Sequence, residues 1–406
     1  MASSVTITDI RRARERFDPD IVRETPVERS RSLSEMSGAD VRLKMEHLQR
    51  TGSFKTRGAS NKLHEIADAG DAERVVAASA GNHAQGVALA ASNAGIPAVV
   101  VMPEDAPQAK VDATRGYGAE VVLHGREFQQ AVAHARELAE DPGSIFVHAY
   151  DDPAIVAGQG TLGLEVAEQV PDLDTVIVPI GGGGLVGGVA TALASVAPEV
   201  RVVGVQAEDA ATVPDSLDKG EPVDREHTRT IADGIATGGV ADLTYDLIER
   251  HVDEVVTVSD DEIAHAILTL LQRAKQLVEG AGAASVAGLL SGRVDVTDET
   301  VVPLLCGGNI DMSMLDTVLE HAMTDRDQLL RLRVRIEDEP GELSTLSTVL
   351  ADRGANVRHV RHDRAVEDLR VGEAYLVFEV ATSGREHAGQ LLDAIRDRGY
   401  EVDRIN

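Results

Sequence analysis

Short runs of aliphatic residues recur through the first three quarters of the chain, separated by alanine-rich stretches. Runs of this length are typical of buried strands, and the first of them alternates with polar residues. They predict strands at 41–46, 75–78, 98–102, 121–123, 145–147, 176–180, 202–205, 255–258 and 301–305. Helical patterns lie between them, for example at 85–94 and 128–139. This alternation indicates an α/β fold with an open parallel sheet covered on both faces.

The two ends of the chain depart from this series. Residues 1–40 are polar and predicted to be helical, with Thr8 and Asp9 capping the first helix. Near the other end, hydrophobic and polar residues alternate at 330–336, as in a sheet with one solvated face. Further elements are predicted as strands at 356–360, 374–381 and 400–405 and helices at 341–353 and 386–398. This βαββαβ order predicts a ferredoxin-like α+β domain at 328–406 after a larger domain at 1–325.

Composition fits an aliphatic interior and two or three domains. The chain has 406 residues, of which 43% are hydrophobic but only 2% aromatic, and a single core rarely grows to this size. No apolar run is long enough to span a bilayer, and the amino-terminal residues lack the features of a secretion signal, so a cytoplasmic protein is expected. The single cysteine, Cys306, excludes an intrachain disulfide and argues against a cysteine-based zinc site.

The charge distribution argues against nucleic-acid binding. Acidic residues number 68 against 39 basic ones, and the net charge of −29 would repel phosphates. The acidic residues are spread along the chain, and lysine is rare. This pattern is typical of a protein surface adapted to a high-salt cytoplasm, and an acidic functional surface is the alternative.

Lys55 is the leading candidate for a nucleophile. The chain has only six lysines and uses arginine at most cationic positions. Arginine stays protonated, whereas a lysine amine can lose its proton, attack a carbonyl carbon and form a Schiff base. Lys55 lies in the segment 53–59 (SFKTRGA), which opens a helix-prone run. The alternative is an exposed lysine without a function on the first turn of that helix.

Residues 79–86 (SAGNHAQG) follow a predicted buried strand and begin a helix. Backbone N–H groups at such a junction have no partner within the helix, so the position favours an anion. Ser79, Asn82 and His83 add side-chain donors, and a substrate carboxylate would fit there. The alternative is an ordinary strand-to-helix turn with a polar cap.

Four consecutive glycines, Gly181 to Gly184, also follow a strand and precede a helix. Glycine lets the backbone wrap closely around a phosphate. The same region satisfies the dinucleotide pattern G-x-G-x-x-G through Gly182, Gly184 and Gly187, with Glu208 as the acid expected after the next strand. The pattern alone leaves both interpretations open.

Cys306 and the following residues 307–309 (GGN) come after the last strand of the larger domain. A lone buried cysteine is most often a small apolar side chain, and the alternative is a weak hydrogen-bond partner for a ligand. All four segments lie at the carboxyl ends of strands, the edge where open α/β sheets bind ligands. An amine nucleophile, an anion site, a phosphate cradle and a weakly polar group together suit pyridoxal 5′-phosphate.

These four segments resemble the fold-type II pyridoxal phosphate enzymes, and most closely the threonine ammonia-lyase (threonine dehydratase) family. The resemblance covers about residues 5–325, in the family's motif order. It implies two open parallel-sheet subdomains, the smaller at roughly 56–145. Residues 338–343 (DEPGEL) are similar to the first strand-to-helix turn of ACT regulatory domains. A chain with both parts resembles the threonine ammonia-lyases that carry a single ACT domain.

The resemblance implies roles for individual residues. Lys55 would hold the cofactor covalently and act as the base, while Phe54 would pack on one face of its ring. Asn82 is expected at the 3′-oxygen of the ring and Cys306 at the ring nitrogen. The full set of implied cofactor contacts is Phe54, Lys55, Asn82, Gly181, Gly182, Gly183, Gly184, Leu185 and Cys306. The implied contacts of the substrate carboxylate are Ser79, Gly81, Asn82 and His83.

The implied reaction is the dehydration and deamination of L-threonine to 2-oxobutanoate and ammonia, a step of isoleucine biosynthesis. L-serine, giving pyruvate, would be a side substrate, and relatives that prefer serine or 3-hydroxyaspartate are the main alternative. Ala80 stands where serine racemases of the family carry a second base, which argues against racemisation. Glu208 resembles a glutamate that binds a divalent ion in some relatives, but residues 209–214 do not reproduce the other ligands, so metal binding is left open.

The ACT-like domain implies amino-acid feedback. Its turn from Gly341 to Leu343, with Asn356 on the next strand, is expected to hold isoleucine or valine as an effector. A dimerisation module without a ligand is the alternative, and a homo-oligomer, dimer or tetramer, is expected. The alternatives from other classes are a dinucleotide-dependent oxidoreductase and a non-catalytic amino-acid sensor.

Overall fold

A computed structural model describes residues 5–225 and 228–405 of the chain. The chain divides into two units, Met1–Asp311 and Met312–Asn406. Residues 1–4 of the predicted amino-terminal segment lie outside the described residues. No helix in the described ranges combines the length and the apolar character needed to cross a membrane.

The strands and helices of the first unit alternate along most of its length. The strands are β1 (Val27–Arg29), β2 (Asp40–Lys44), β3 (Arg74–Ala78), β4 (Ala98–Met102), β5 (Glu120–Leu123), β6 (Ser144–Phe146), β7 (Thr175–Pro179), β8 (Arg201–Ala207), β9 (Glu254–Val258) and β10 (Thr300–Pro303). The helices are α1 (Ile7–Glu15), α2 (Arg31–Ser37), α3 (Lys55–Ala69), α4 (Asn82–Ala94), α5 (Gln108–Gly116), α6 (Phe128–Leu138), α7 (Pro153–Gln169), α8 (Gly184–Val196), α9 (Val213–Lys219), α10 (Asp242–His251), α11 (Asp260–Thr269) and α12 (Gly280–Leu290).

The larger sheet of the first unit has six strands among the described residues, in the order β1-β2-β10-β7-β8-β9. From β2 to β9 each neighbouring pair is parallel. The continuous aliphatic runs predict this arrangement, because a strand buried on both faces needs apolar side chains on both. The edge strand β1 pairs antiparallel with β2. The sequence does not predict β1, because its three largely exposed residues carry no hydrophobic run.

The smaller sheet has four strands among the described residues, in the order β5-β4-β3-β6, and all neighbouring pairs are parallel. One of its faces packs against helices through a core that includes Leu63 of α3, Val87 of α4 and Val100 of β4. The other face packs against Ala131 and Ala135 of α6. Two open parallel sheets covered by helices confirm the predicted fold class.

Helix α1 begins earlier than the sequence predicts. Thr6 is the N-cap residue, and its side chain accepts a hydrogen bond from the Asp9 N–H while the Asp9 carboxylate accepts one from the Thr6 N–H. Asp9 therefore occupies the third helical position of a capping box. The prediction that Thr8 and Asp9 form the cap is wrong by two residues, because Asp9 satisfies the cap from inside the helix.

The second unit is a small α+β domain preceded by a helix. Its elements are α13 (Met312–Asp325), β11 (Leu329–Glu337), α14 (Glu342–Asp352), β12 (Asn356–Asp363), β13 (Glu373–Ala381), α15 (Arg385–Arg396) and β14 (Glu401–Arg404). The antiparallel sheet has the order β12-β13-β11-β14. Leu332, Val334 and Phe378 on one sheet face share a core with Leu350 and Leu391 of the helices. This topology confirms the ferredoxin-like domain that the alternation at 330–336 predicts.

Candidate active site

The candidate segments of the first unit meet where its parallel strands end. Helix α3 begins at Lys55, α4 begins shortly after β3, and α8 begins shortly after β7. The Phe54 N–H donates to the Cys306 carbonyl oxygen over 3.1 Å, and Ser53 pairs with Gly307 as an isolated antiparallel bridge. The Lys55 segment and the Cys306 segment, which are far apart in sequence, are therefore hydrogen-bonded neighbours.

Lys55 has the chemistry of a nucleophile. Its Nζ donates to the Ala149 carbonyl oxygen over 2.9 Å and lies 5.2 Å from the centroid of the Phe54 ring. Burial lowers the pKa of the amine from 10.5 to about 8, because the cation loses hydration. A fraction of Lys55 is then neutral near physiological pH. Lys55 is not the exposed lysine of the alternative interpretation, and its role as the nucleophile stays a prediction.

Residues 148–150 connect Lys55 to the glycine segment, and the sequence does not predict this link. Ala149 supplies the carbonyl that accepts from Lys55. The Tyr150 ring lies so close to Gly182 that a Cβ atom there would overlap it, and the Tyr150 Cβ and backbone border Gly184. His148 holds this turn through its Nδ1, which accepts from the Asp151 N–H over 2.8 Å. The amine and the glycine segment therefore border the same short turn.

The glycine segment forms a cradle that larger residues would fill. Gly183 has a φ of +85°, which side chains rarely adopt, and a Cβ atom there would lie 2.8 Å from Thr244. A Cβ atom at Gly181 would lie 3.0 Å from the Ile235 backbone. Gly184 begins α8, whose first N–H groups have no partner within the helix and favour an anion. The cradle and the readily deprotonated amine of Lys55 fit the phosphate and the aldehyde of pyridoxal 5′-phosphate.

Asn82 lies at the centre of a short hydrogen-bond chain. Its Nδ2 donates to Glu279 Oε1 over 2.6 Å, and its Oδ1 accepts from Asn309 Nδ2 over 2.7 Å. Glu279 directly precedes α12, and burial raises the pKa of its carboxyl group. Sequence reasoning missed Glu279. The only signal is a lone acid ahead of the apolar, glycine-rich helix 280–290, and such an acid is usually a helix cap.

The predicted carboxylate-binding residues lie at the start of α4. Gly81 is its N-cap residue, and the Gly81 N–H donates to Ser79 Oγ over 3.1 Å. The buried His83 places Nε2 3.0 Å from the Val147 carbonyl oxygen. Burial, assisted by the charge of Lys55, lowers the pKa of His83 to about 3. His83 is therefore neutral, and its ring donates to the protein backbone. The roles of these residues toward a substrate stay predictions.

Cys306 is buried and its Sγ lies 3.2 Å from the Ala281 carbonyl oxygen. Burial raises the pKa of the thiol above its usual value, so the sulfur carries its proton. Leu185 is buried in the first turn of α8, directly after the glycines. A neutral thiol and an apolar side chain line the site without adding charge, and the contacts predicted for them stay predictions.

A buried ionic cluster supports the start of α3 and was also missed from sequence. The Arg57 guanidinium, two residues after Lys55, donates to Glu46 over 2.7 and 2.8 Å and to Glu165 over 2.6 and 2.8 Å. Lys44 Nζ donates to Glu165 over 2.8 Å. Burial alone would raise the pKa of Glu46, but the Arg57 guanidinium keeps it below its usual value. The cluster fixes the first turn of α3 and hence the backbone of Lys55.

The remaining candidates lie elsewhere. Glu208 is exposed after β8 and, among the described residues, belongs to no cluster of three or more metal-ligating side chains. Gly187 lies inside α8, where it borders Leu247. In the second unit, Gly341 has a φ of +109° and caps α14, Leu343 is exposed on the first turn, and Asn356 is exposed at the start of β12. Binding of an effector at these three residues stays a prediction.

Comparisons with known families agree with this geometry. Residues 19–307 match the family described as pyridoxal-phosphate dependent enzyme, and residues 330–400 match the ACT domain. The first match contains Lys55, the glycine segment and Cys306. It assigns Gly182, Gly184 and Gly187 to a pyridoxal phosphate family, so the dinucleotide interpretation of this pattern is not supported.

Individual relatives cover most of the chain. The chain is 43% identical to an L-threonine ammonia-lyase of Thermotoga maritima over 398 residues, which are 98% of this chain and 99% of the relative. The structure of the processed form of threonine deaminase isoform 2 from Solanum lycopersicum is 37% identical, with a TM-score of 0.74 over 78% of this chain and 92% of that one. Maize serine racemase is 33% identical, with a TM-score of 0.74 over 80% of this chain and 100% of that one.

Proposed function

Because the chain belongs to the family of pyridoxal-phosphate dependent enzymes and ends in an ACT domain, we propose that it is a threonine ammonia-lyase. It converts L-threonine to 2-oxobutanoate and ammonia, with L-serine as a side substrate that gives pyruvate. The observation that carries this proposal is the Lys55 amine, which donates to the Ala149 carbonyl oxygen in the same short turn whose Tyr150 borders the glycine cradle. The similarity to a threonine ammonia-lyase over 98% of the chain supports the choice of substrate.

Lys55 performs the proton transfer at the substrate. When bound, pyridoxal phosphate supplies a carbonyl that exchanges amines and a ring that withdraws electrons from the substrate's α-carbon. Lys55 Nζ, held by the Ala149 carbonyl oxygen at 2.9 Å, removes the α-proton. A pKa of about 8 places Nζ close to the operating pH, where a general base is most effective.

The chain's other groups bind and orient. Gly181 to Gly184 and the amino end of α8 would bind the phosphate, and Asn82 would donate to the 3′-oxygen of the ring. Ser79, Gly81, Asn82 and His83 would surround the substrate carboxylate, and the N–H groups in the first turn of α4 would bind it because they have no partner within the helix. A backbone contact is supported at His83, because its side chain already donates to the Val147 carbonyl oxygen.

Cys306 would lie at the ring nitrogen as a neutral thiol, since burial raises its pKa. A thiol is too weak an acid to keep that nitrogen protonated, so the ring withdraws electrons less strongly than one paired with an aspartate. A weaker electron sink favours rapid loss of the β-hydroxyl over transamination. Ala80 offers no second base, which disfavours racemisation. Serine or 3-hydroxyaspartate as the preferred substrate is the alternative within this class.

The second unit would regulate the first. We place the catalytic domain at 1–325, with a smaller subdomain at 56–145, and the regulatory domain at 328–406. Isoleucine or valine would bind near Gly341, Leu343 and Asn356, because an exposed apolar side chain and a glycine at a helix start suit a small apolar amino acid. The enzyme would work as a dimer or tetramer in the cytoplasm. The acidic surface of the chain is typical of a protein that works in a high-salt cytoplasm.

The test of the catalytic proposal is keto-acid release by the purified protein with pyridoxal phosphate. L-threonine, L-serine and 3-hydroxyaspartate are offered separately, and the visible absorbance of the protein is recorded. We expect the highest kcat/KM with threonine and an absorbance band that Lys55→Ala abolishes together with activity. Wild-type protein that takes up the cofactor but releases no 2-oxobutanoate would exclude threonine as the substrate.

The regulatory proposal is tested by titrating the full chain with isoleucine and with valine in a calorimeter. Leu343→Gln is expected to weaken binding of the effector. Met314→Gln is the matched control, because Met314 is also a partly exposed apolar side chain but lies on α13, before the domain at 328–406 that holds the proposed site. Heat that is absent with both amino acids, or unchanged by Leu343→Gln, would contradict the proposed site.

A further inference from the structure

Asn309 makes contacts that the proposed reaction leaves without a role. Its Nδ2 donates to two acceptors, the Thr51 carbonyl oxygen at 2.6 Å and Asn82 Oδ1 at 2.7 Å. Asn82 in turn donates from Nδ2 to Glu279 Oε1 at 2.6 Å. The three side chains form one directional chain that starts at Asn309 and ends at a carboxylate.

The direction of this chain is determined by its two ends. The Thr51 carbonyl oxygen can only accept, so the NH₂ group of Asn309, and not its oxygen, must face it. The second hydrogen of the same NH₂ group then reaches Asn82, which has to present Oδ1. At the other end Glu279 accepts from Asn82 through Nδ2. Both ends therefore select the same one of the two orientations of the Asn82 carboxamide.

Asn309 itself is held in place by its surroundings. A Cβ atom on Gly52 would overlap Asn309 Oδ1, and Gly52 has a φ of +74°, so glycine leaves the space that the carboxamide fills. The Gly308 N–H donates to the Gly52 carbonyl oxygen over 2.9 Å. The side chain is therefore packed on one face and hydrogen-bonded on the other.

We propose that Asn309 is a positioning residue that fixes the orientation of the Asn82 carboxamide, so that Asn82 presents Nδ2 and not Oδ1 to the cofactor. This inference rests on the proposed function, in which Asn82 donates to the 3′-oxygen of the ring. One hydrogen of Asn82 Nδ2 serves Glu279, and the other is left for that oxygen. A reversed amide would present an acceptor to an acceptor and lose the contact.

The test replaces the amide that directs the chain. Asn309→Asp keeps the size of the side chain but removes both N–H donors, and its carboxylate favours the reversed orientation of Asn82. We expect the dissociation constant of pyridoxal phosphate, measured by absorbance titration of the cofactor-free protein, to rise roughly tenfold. The absorption maximum of the bound cofactor should also shift, because the donor to its 3′-oxygen is lost.

Two comparisons separate positioning from a merely structural role. Asn61, on α3, is another side-chain amide that donates to a backbone carbonyl, that of Ala154, over 2.8 Å. Asn61→Ala should lower the melting temperature without shifting the absorption maximum. In an Asn82→Ala background, Asn309→Asp should have little further effect on cofactor affinity, because its target is gone. Asn309→Ser, which keeps one donor, should be intermediate and serves if Asn309→Asp does not fold.

The inference is overturned if Asn309→Asp, or Asn309→Ser in its place, binds the cofactor with wild-type affinity and spectrum. It is also overturned if the loss of affinity is equally large in the Asn82→Ala background. Failure of the proposed function is a separate outcome. In that case the wild-type protein would take up the cofactor but release no 2-oxobutanoate from threonine.

Discussion

Burial of Lys55 makes its amine more reactive but lowers the stability of the folded chain. Burial lowers its pKa from 10.5 to about 8, which favours the neutral nucleophile and disfavours the cation. Between these two pH values the unfolded chain binds a proton that the folded chain does not. The stability contributed by this group therefore rises with pH through that window, and the destabilisation is complete below the folded pKa.

Lys55→Met should accordingly stabilise the cofactor-free protein while abolishing activity. We expect its free energy of unfolding at neutral pH to exceed that of the wild type by about 1 to 3 kcal/mol. The difference should shrink as the pH rises from about 8 to 10.5. Urea unfolding at a series of pH values measures it, with Lys219→Met at an exposed position as the control. A less stable Lys55→Met protein at neutral pH would contradict the assigned burial effect.

Among single residues, the sequence predicts those whose side-chain chemistry is unusual. It misses those that matter because they contact another site residue in the folded chain. Lys55 stands out because lysine is rare in this chain. Glu279 and Asn309 contact Asn82 from 197 and 227 positions away. Asn309 belongs to a segment that the sequence singles out, but nothing local indicates its contact with Asn82. Glu279 has no local signal that distinguishes it from a helix cap, so only the folded chain identifies these contacts.

The elements around the site are joined by the buried cluster of Arg57, Glu46, Glu165 and Lys44. It links β2, the turn that follows β2, α3 and α7. Breaking a buried ion pair is strongly destabilising because a charge is left without its partner. The cluster therefore secures the helix that carries Lys55 more firmly than surface ion pairs could.

Arg57→Ala should lower the free energy of unfolding by about 3 to 5 kcal/mol. Arg57→Lys should recover little of this loss, because an ammonium group cannot reproduce the forked contacts to two carboxylates. Arg14→Ala is the matched control, since Arg14 bonds to Glu168 over 2.5 and 2.7 Å but lies at the surface. Arg14→Ala should lower the free energy of unfolding by no more than about 1 kcal/mol. Equal losses for Arg57→Ala and Arg14→Ala in urea unfolding would refute the argument.

The junction of β7 and α8 depends on glycine for two separable reasons. Gly183 combines a φ of +85° with a neighbour, Thr244, that a Cβ atom would approach to 2.8 Å. Gly292 has a similar φ of +71° but open space around it. Gly292 therefore reports the effect of backbone strain alone.

Gly183→Ala should weaken pyridoxal phosphate binding by at least tenfold, because the added methyl group displaces the backbone that forms the cradle. Gly292→Ala should destabilise the protein by about 1 kcal/mol and leave cofactor affinity unchanged. Absorbance titration and thermal unfolding of both variants separate the two effects. Wild-type cofactor affinity in Gly183→Ala would show that the four-glycine segment is not the phosphate site.

Element boundaries follow the sequence where a hydrophobic run defines them. The run at 98–102 coincides with β4, and the alternation at 330–336 lies within β11. The prediction fails where hydrogen bonds set the boundary, as at Thr6, or where a short edge strand carries no hydrophobic run, as in β1. Such positions depend on neighbours that a single stretch of sequence does not contain.

For the whole molecule, the change of period between the run at 301–305 and the alternation at 330–336 separates two kinds of sheet. The parallel sheets of the first unit need continuous apolar runs, whereas the antiparallel sheet of the second needs alternation, so the two leave different patterns. Charge is a second property of the whole chain. The net charge of −29 makes repulsion between carboxylates a general feature of its folded surface.

Salt should therefore stabilise this protein. Raising KCl from about 0.1 M to about 1 M shortens the Debye length from about 10 Å to about 3 Å, which screens repulsion between acidic side chains that lie far apart. The same salt weakens surface ion pairs, but acidic residues outnumber basic ones 68 to 39, so relief of repulsion should dominate. We expect the melting temperature to rise by about 5 °C. The control is the same comparison near pH 4.8, the calculated isoelectric point, where the net charge vanishes and the rise should be much smaller. A melting temperature that falls with KCl at neutral pH would mean that ion pairs, and not excess negative charge, govern the stability of this surface.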